Sequence, residues 1–321
     1  MKAVVRNHYG GPETLQLTEV AKPTPGPKDV VVRIKAATVT LGDCELRAFN
    51  VKTWLWLPLR LYMGLFGPRI KILGQEFSGI VEAIGKNVTR FKVGDEVFGP
   101  ADMNMGAYAE YKCLPESHAL FKKPARISFE EAATIPTGGI NGLHFVRKSN
   151  VKPGDDVLIN GAGGSIGTYA TQLAKRLGAT VTCVDSGIKL DMLKSIGADH
   201  VIDYQQQDFT KGERQFDVII DIVGISSYSA VIRCLKPGGR YFMGNPDFWD
   251  MVRSAFNAGD GKQVLIQFAP YKPEYFEYLM GLFEKGQLRS VIDRTFPLQQ
   301  LREAHEYVDR GLKKGNVVIS V

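Results

Sequence analysis

Residues 156–178, DVLINGAGGSIGTYATQLAKRLG, set the expected fold of this chain. The first five residues predict a short buried strand, and the segment from Ser165 predicts an amphipathic helix that ends at Gly178. A glycine-rich turn between a strand and a helix lets the backbone approach a pyrophosphate at the helix N-terminus. The turn matches A-x-G-x-x-G, so it predicts a dinucleotide site or, as the alternative, a purely structural turn. The residues concerned are Gly161, Ala162, Gly163, Gly164, Ser165, Ile166 and Gly167.

A carboxylate follows this turn at a useful distance. Asp185 lies 18 residues after Gly167, at the end of a second predicted strand. An acid about 20 residues after the glycines can accept a hydrogen bond from a ribose 2′-OH, which favours NADH. Ser186, Lys189 and Tyr204 are placed to hold a 2′-phosphate instead, and Asp185 or Ser186 could also cap the next helix. The cofactor prediction therefore stays NAD(P)H.

Outward from this stretch the chain divides into three sections. Residues 1–122 contain short β runs and turns, which predict a β-rich, barrel-like domain. Residues 123–270 alternate strands with helices, which predicts a doubly wound parallel sheet and an α/β fold class. Residues 271–321 predict two amphipathic helices and a final strand, NVVIS, that returns to complete the first domain.

The composition excludes several classes of protein. The net charge of +6 has no basic stripe or tail, so we expect no nucleic-acid partner. The four cysteines form no C-x-x-C pair, which argues against a disulfide network and favours a reducing compartment. No apolar signal core is present at the N-terminus, and no apolar run approaches the about 20 residues that span a bilayer. We expect a cytoplasmic protein without stable membrane insertion.

Several motifs in order carry a family resemblance over nearly the whole length. They are GQEFSGIVEAIG, FKVGDEVFG, GAYAEY, INGAGGSIG, LKPGGRYFMG and KKGNVVISV. With them the chain resembles the medium-chain dehydrogenase/reductase superfamily, and within it the zinc-independent quinone oxidoreductase (zeta-crystallin-like) branch. The resemblance implies a GroES-like catalytic domain beside a Rossmann domain, and a homodimer formed around residues 241–268. It also implies NAD(P)H-dependent reduction of a hydrophobic quinone or an α,β-unsaturated carbonyl compound. A metal-free alcohol dehydrogenase and a nucleotide-binding structural or regulatory protein are the alternatives.

The branch assignment depends on missing zinc ligands. Zinc-dependent members use a cysteine, a histidine in G-H-E and a later cysteine. Here Thr40 and Gln75 occupy the first two positions, and the TIPTGGINGL region has no thiol. Glu76 alone does not hold a tetrahedral zinc, and Cys44 is expected to pack as a small apolar side chain. We predict that no metal is bound.

The same resemblance proposes further site residues. Asp43 and Arg47 match a D-x-x-x-R pattern near the substrate, where they either orient it or form a local salt bridge. Tyr62 could supply a proton, as water could, whereas His144 is expected to be a core histidine. Residues expected near the cofactor are Asn141, Val223, Gly224, Gly244, Asn245, Lys314, Gly315 and Asn316.

The most apolar segment, WLWLPLRLYMGLF at residues 54–66, allows three interpretations. It forms a hydrophobic lid over the substrate, touches a membrane surface with help from Arg60 and Arg69, or covers the core between the domains.

Overall fold

The computed structural model describes residues 1–101, 103–256 and 259–321. These residues form two compact units, one of Met1–Thr137 with Tyr271–Val321 and the other of Gly138–Pro270. The first is called unit 1 and the second unit 2.

The strands of the described residues are, in chain order, β1 Lys2–Arg6, β2 Leu15–Glu19, β3 Asp29–Val39, β4 Glu76–Ile84, β5 Glu96–Pro100, β6 Tyr111–Pro115, β7 Phe121–Lys122, β8 Asp156–Asn160, β9 Thr180–Asp185, β10 His200–Asp203, β11 Phe216–Asp221, β12 Leu235–Met243, β13 Gln263–Leu265, β14 Ile292–Pro297 and β15 Asn316–Ser320.

The α-helices follow the same order: α1 Leu41–Ala48, α2 Thr53–Met63, α3 Phe129–Ala133, α4 Ile140–Lys148, α5 Ser165–Arg176, α6 Leu190–Ser195, α7 Tyr228–Arg233, α8 Phe248–Ser254, α9 Pro273–Glu284 and α10 Leu301–Asp309.

Unit 1 is built on a seven-stranded sheet in the order β14-β15-β3-β4-β5-β7, with β6 also paired to β3. Strand β3 is long and rich in β-branched residues, and Val30, Val32 and Ile34 on it are buried in the hydrophobic core. Strand β15 pairs antiparallel with β3, Val317 opposite Val39. The C-terminal segment therefore belongs to the same sheet as the N-terminal one.

Unit 2 is built on a six-stranded sheet in the order β10-β9-β8-β11-β12-β13, and its pairs are parallel. Strands β8, β9 and β11 are buried almost throughout, as expected of strands covered by helices on both faces. The strand order reverses between β8 and β11, which is the arrangement of a doubly wound nucleotide-binding sheet. The predicted fold class is confirmed.

Helix α5 starts at Ser165 because Gly164 is extended at the N-cap position. It ends where Gly178 takes a positive φ of 84°, with the Gly178 amide donating to Lys175 and the Ala179 amide to Ala174. A glycine at this position avoids the Cβ clash that other residues meet there. The helix end is the one that the sequence predicts.

The boundary between the units differs from the predicted one after residue 122. Residues 123–137 group with unit 1 because α3 packs against β3 and β4. Ser128 and Glu131 form a capping box at the start of α3, which fixes this short helix. The sequence pattern assigns these residues to the nucleotide-binding domain, because helical periodicity does not tell which sheet a helix packs on.

The apolar segment at residues 54–66 is largely helical, since α2 covers Thr53–Met63 with Pro58 inside it. Within the described ranges of the chain, no helix is long and apolar enough to cross a membrane.

Candidate active site

The glycine turn after β8 has the close packing that a dinucleotide-binding turn requires. Gly161 has a positive φ of 81°. A Cβ on Gly167 would come within 2.5 Å of the Cα and the carbonyl oxygen of Ala162. Only glycine therefore lets α5 start so close to the strand, and the helix N-terminus then faces the turn. These residues fit a bound pyrophosphate.

Asp185 lies at the end of β9 and is tied to the glycine turn. Its carboxylate accepts hydrogen bonds from the amides of Gly163 (2.7 Å) and Ser186 (2.8 Å). The Lys189 ammonium pairs with the same carboxylate at 2.8 Å. The predicted helix-capping role of Asp185 and Ser186 is wrong, because neither side chain caps the helical turn that follows. The Tyr204 amide donates to the Asp185 carbonyl at 3.2 Å, so all four residues predicted around the ribose lie together.

A second polar group lies where β8 and β11 end, beside the point where strand order reverses. Asp221 accepts from the Asn160 amide (2.9 Å) and from the backbone of Gly224 (2.9 Å). Its burial raises the pKa of this carboxyl. Sequence reasoning missed Asn160 and Asp221, although a polar residue ending each of two apolar strands was a usable signal.

The next strand brings its predicted cofactor residues to the same edge. The Gly244 amide donates to the Asp221 carbonyl at 2.7 Å, and the Asn245 amide contacts the Val223 carbonyl at 3.4 Å. A Cβ on Gly224 would collide with the Asn245 backbone, so this glycine has no room for a side chain. Val223, Gly224, Gly244 and Asn245 therefore adjoin the strand ends that carry the glycine turn. Asn141 lies half-buried in α4 of the same unit.

In unit 1, Thr40 and Gln75 lie side by side. Thr40 is the N-cap of α1 and forms a capping box with Asp43. Its hydroxyl donates to the Asp43 carboxylate at 2.7 Å and accepts from the Gln75 amide at 3.1 Å. Asp43 is fully buried, which raises its pKa, and its Oδ1 has no hydrogen-bond partner among the described residues. The result is a neutral hydroxyl and amide pair supported by a buried carboxyl group.

Glu76 is the first residue of β4 and is also fully buried. The Thr38 hydroxyl and the Thr137 amide donate to its two oxygens, the latter at 2.6 Å. Burial raises the pKa of Glu76 to about 7. The carboxyl group thus joins β3, β4 and the segment after α3.

Arg47 does not pair with Asp43, so the predicted local salt bridge is wrong. Its side chain is buried, and its nitrogens contact the Gly10 carbonyl (3.1 Å), His305 Nδ1 (3.0 Å) and the Asp309 carboxylate (2.8 Å). His305 was not predicted. Burial and the adjacent Arg47 guanidinium lower its pKa to about 3, so the imidazole is neutral. Arg47 is engaged within unit 1 by the loop after β1 and by α10.

Cys44 is buried beside His305 Nδ1, at 3.3 Å from its sulfur. Burial raises the pKa of its thiol, and the side chain belongs to the unit 1 core, as predicted. His144 is a core histidine as predicted, buried against Phe145 and Phe242 in unit 2.

The other predicted residues of unit 1 lie in two places. Tyr62 packs on the core with the Arg69 guanidinium 5.3 Å from its ring. Lys314, Gly315 and Asn316 lead into β15, where the buried Asn316 amide donates to the Val291 carbonyl at 3.0 Å.

The donor set around Thr40 does not fit a zinc ion. In the part of the chain that the structure describes, no group of three or more His, Cys, Asp or Glu side chains is placed to hold a metal. The residues at the expected ligand positions are a hydroxyl and a carboxamide, both poor zinc ligands beside thiolate and imidazole.

The chain matches two family models. Residues 26–125 match the alcohol dehydrogenase GroES-like domain, and residues 196–319 match a domain described as zinc-binding dehydrogenase. It is 28% identical to the quinone oxidoreductase of Homo sapiens, over 97% of this chain and 94% of that protein.

Solved structures agree over the full length. The quinone oxidoreductase from Coxiella burnetii has a TM-score of 0.89 and 30% identity, covering 100% of this chain and 99% of that one. An NAD-dependent alcohol dehydrogenase has a TM-score of 0.84 and 30% identity, with 100% of both chains covered. The chain is therefore an oxidoreductase that belongs to the medium-chain dehydrogenase/reductase superfamily, in its quinone oxidoreductase branch.

Proposed function

We propose that this protein uses NAD(P)H to reduce quinones or α,β-unsaturated carbonyl compounds without a catalytic zinc. The observation that carries the proposal is the Thr40–Gln75 pair, in which the Gln75 amide donates to the Thr40 hydroxyl at 3.1 Å. A side chain engaged in this way, with no thiol or imidazole in the pair, supports a site that works through hydrogen bonds. Glu76 is equally engaged with Thr38 and Thr137.

The class of acceptor follows from a donor set at Thr40 and Gln75 that does not suit zinc, the Lewis acid of related dehydrogenases. Zinc stabilises a developing alkoxide by several kcal/mol, and simple aldehydes need that help. A quinone or an enone spreads the incoming negative charge over a conjugated system, so orientation and hydrogen bonding suffice. The Thr40 hydroxyl already donates its one proton to the Asp43 carboxylate. The Gln75 amide has two N–H groups and uses one on Thr40, so the other is the group that we expect to donate a hydrogen bond to the acceptor oxygen.

Unit 2 carries the cofactor in this proposal. The glycine turn and the α5 N-terminus hold the pyrophosphate, and the bound nicotinamide supplies the hydride. Asp185 suits a ribose 2′-OH, whereas Lys189, Ser186 and Tyr204 suit a 2′-phosphate. Because Lys189 pairs with Asp185 at 2.8 Å, we propose that either cofactor is accepted.

Absorbance at 340 nm tests the proposal, with NADH and NADPH each offered quinones, 2-alkenals and simple aldehydes. We expect oxidation of the cofactor with the first two acceptor classes, unchanged by 1,10-phenanthroline or added zinc. Tight cofactor binding with no turnover of any acceptor would instead support a structural or regulatory nucleotide-binding protein. Stoichiometric zinc in the purified protein would contradict the zinc-free site.

A second candidate is a metal-free alcohol dehydrogenase, which the similarity to the NAD-dependent alcohol dehydrogenase structure favours. Activity confined to simple alcohols and aldehydes in the same assay would select it.

A further inference from the structure

Helix α2 is apolar on both of its faces. Leu59, Tyr62 and Met63 pack on the unit 1 core. The outer side, which we call the α2 face, is also apolar, although a helix of this kind is normally buried in protein or lipid. The α2 face consists of Trp56, Leu57 and Leu61 on the helix together with Leu65 and Phe66 directly after it, with exposures that run from 43% to 100%. An exposed contiguous patch of large apolar side chains marks a binding surface.

The sequence segment that contains this face carries charge of a single sign. Between Arg47 and Glu76 the sequence contains no aspartate or glutamate, but it contains Lys52, Arg60, Arg69 and Lys71. Arg69 and Lys71 are exposed directly after the apolar residues. Apolar and tryptophan side chains bordered by basic ones are the composition of helices that lie in a membrane interface.

Arg60 is held within the apolar surface. Its guanidinium lies 4.0 Å from the Tyr9 ring and 4.7 Å from the Phe49 ring. Its Nε donates to the Leu65 carbonyl at 3.1 Å, which fixes the turn that presents Leu65 and Phe66. A cation fixed at this level can meet lipid phosphates while its neighbours enter the acyl boundary.

We propose that the α2 face binds the surface of an anionic membrane, with α2 parallel to the bilayer plane. The helix has 11 residues, too few for the about 20 that span a bilayer, so contact is peripheral. The basic border selects this occupant over a second copy of the chain. A symmetric contact between two α2 faces would bring Arg69 and Lys71 of both copies together. The proposal is independent of the catalytic one.

Co-sedimentation of the full-length protein with vesicles tests it, without cofactor or acceptor. The vesicles contain phosphatidylcholine alone or mixed with phosphatidylglycerol, at low and high salt. We expect binding to the anionic vesicles that weakens as salt rises. The double variant Leu57→Asp, Leu61→Asp should lose affinity on the order of 100-fold, because two exposed apolar side chains no longer enter the interface.

A charge variant addresses the same surface and keeps all of its apolar side chains. Arg69→Gln with Lys71→Gln should weaken binding roughly 30-fold and remove most of the salt dependence, since each basic residue near an anionic surface contributes similarly. Leu17→Asp, at another exposed leucine of unit 1, is the matched control and should bind as the unchanged protein does. In a Trp249→Phe background, the fluorescence emission of the remaining Trp54 and Trp56 should shift to shorter wavelength when anionic vesicles are added.

Three results would overturn the proposal. One is absence of binding to anionic vesicles at low salt in the unchanged protein. Another is equal binding by the charge variant and the Leu17→Asp control. The last is unchanged vesicle binding in the Leu57→Asp, Leu61→Asp protein, accompanied by loss of self-association or a raised acceptor KM. That outcome would assign the face to a second copy or to a substrate lid.

Discussion

At the scale of single residues, Gln75 and Glu76 are neighbours with different surroundings. The replacement of an expected histidine by Gln75 is readable in the sequence. The bonds of Glu76 are not, because its partners Thr38 and Thr137 lie 38 and 61 positions away. The chemical class of the site could therefore be predicted, but not the protonation of its buried carboxyl groups.

Glu76→Gln should change how stability depends on pH. The folded protein raises the Glu76 pKa to about 7, so the fold favours the protonated acid. Its stabilising contribution is complete below the unfolded pKa of about 4.5 and is lost as pH rises through 7, a change of about 3 kcal/mol. Urea unfolding at about pH 5 and about pH 8 should show the variant gaining stability relative to the unchanged protein. The exposed control Glu277→Gln should differ from the unchanged protein by the same free energy of unfolding at both pH values. An equally constant difference for Glu76→Gln would refute the expectation.

Asp185→Ser should shift cofactor preference toward NADPH. The change removes a carboxylate that repels a 2′-phosphate and releases Lys189 from its ion pair. We expect the ratio of kcat/KM for NADPH over NADH to rise about tenfold, the effect of one hydrogen bond to a charged group. Lys189→Ala should move the ratio in the opposite direction. An unchanged ratio in both variants would show that these residues do not contact the ribose.

At the scale of elements, the contact between α1 and α10 was not predictable. The D-x-x-x-R pattern in α1 suggests a local role, yet Arg47 binds Asp309, which is 262 residues further along the chain. Periodicity predicts that α10 has a buried face, but not which helix that face meets. The sequence does not identify His305 as a partner of Arg47 for the same reason.

Arg47→Ala should destabilise unit 1 by about 3 kcal/mol, because it leaves a partly buried carboxylate and the Gly10 carbonyl without their partner. Chemical unfolding would measure this loss. Arg310 is exposed at the end of α10, the helix that carries Asp309. Arg310→Ala serves as the control and should have little effect on stability. A raised acceptor KM with unchanged stability would restore the predicted substrate contact.

Gly167→Ala and Gly281→Ala should have opposite effects. At Gly167 the new Cβ would lie 2.5 Å from Ala162 atoms, which should cost about 3 kcal/mol and weaken NADH binding. At Gly281, within α9, a new Cβ would meet no atom within 4 Å beyond its chain neighbours and the backbone of its own helix. Alanine should therefore stabilise the fold by about 0.5–1 kcal/mol through helix propensity. Chemical unfolding measures the stability of each variant, and fluorescence titration with NADH measures its cofactor affinity. Normal NADH binding by Gly167→Ala would show that the turn tolerates a side chain.

At the scale of the whole molecule, the alternation of strands and helices was enough to predict the doubly wound sheet. Strands such as β9 are buried on both sides, and their apolar runs are distinctive. The boundary near residue 137 was not predictable, because residues 123–137 carry a short helix whose packing partner is set by tertiary contacts.

A homodimer through the β13 edge of unit 2 stays a prediction. Strand β13 ends the sheet, and Phe256 and Phe268 in the predicted region are 71% and 81% exposed. Two positions of that region, 257 and 258, lie outside the described residues. Light scattering should give a dimeric mass, and Phe256→Asp with Phe268→Asp should give a monomer, while the exposed control Leu177→Asp stays dimeric. A monomeric mass for the unchanged protein would exclude the dimer.

The pairing of β15 with β3 imposes an order on synthesis. Unit 2 is one continuous segment, so it can fold while the ribosome is still adding the residues that follow it. The sheet of unit 1 cannot be completed at that stage, because β15, the strand that pairs with one edge of β3, is translated after all of unit 2. During that interval the nascent chain exposes an unpaired strand edge, which is a template for association with other chains. Chaperone dependence in this protein should therefore arise from unit 1, whose first strands are synthesised first and whose sheet is completed last.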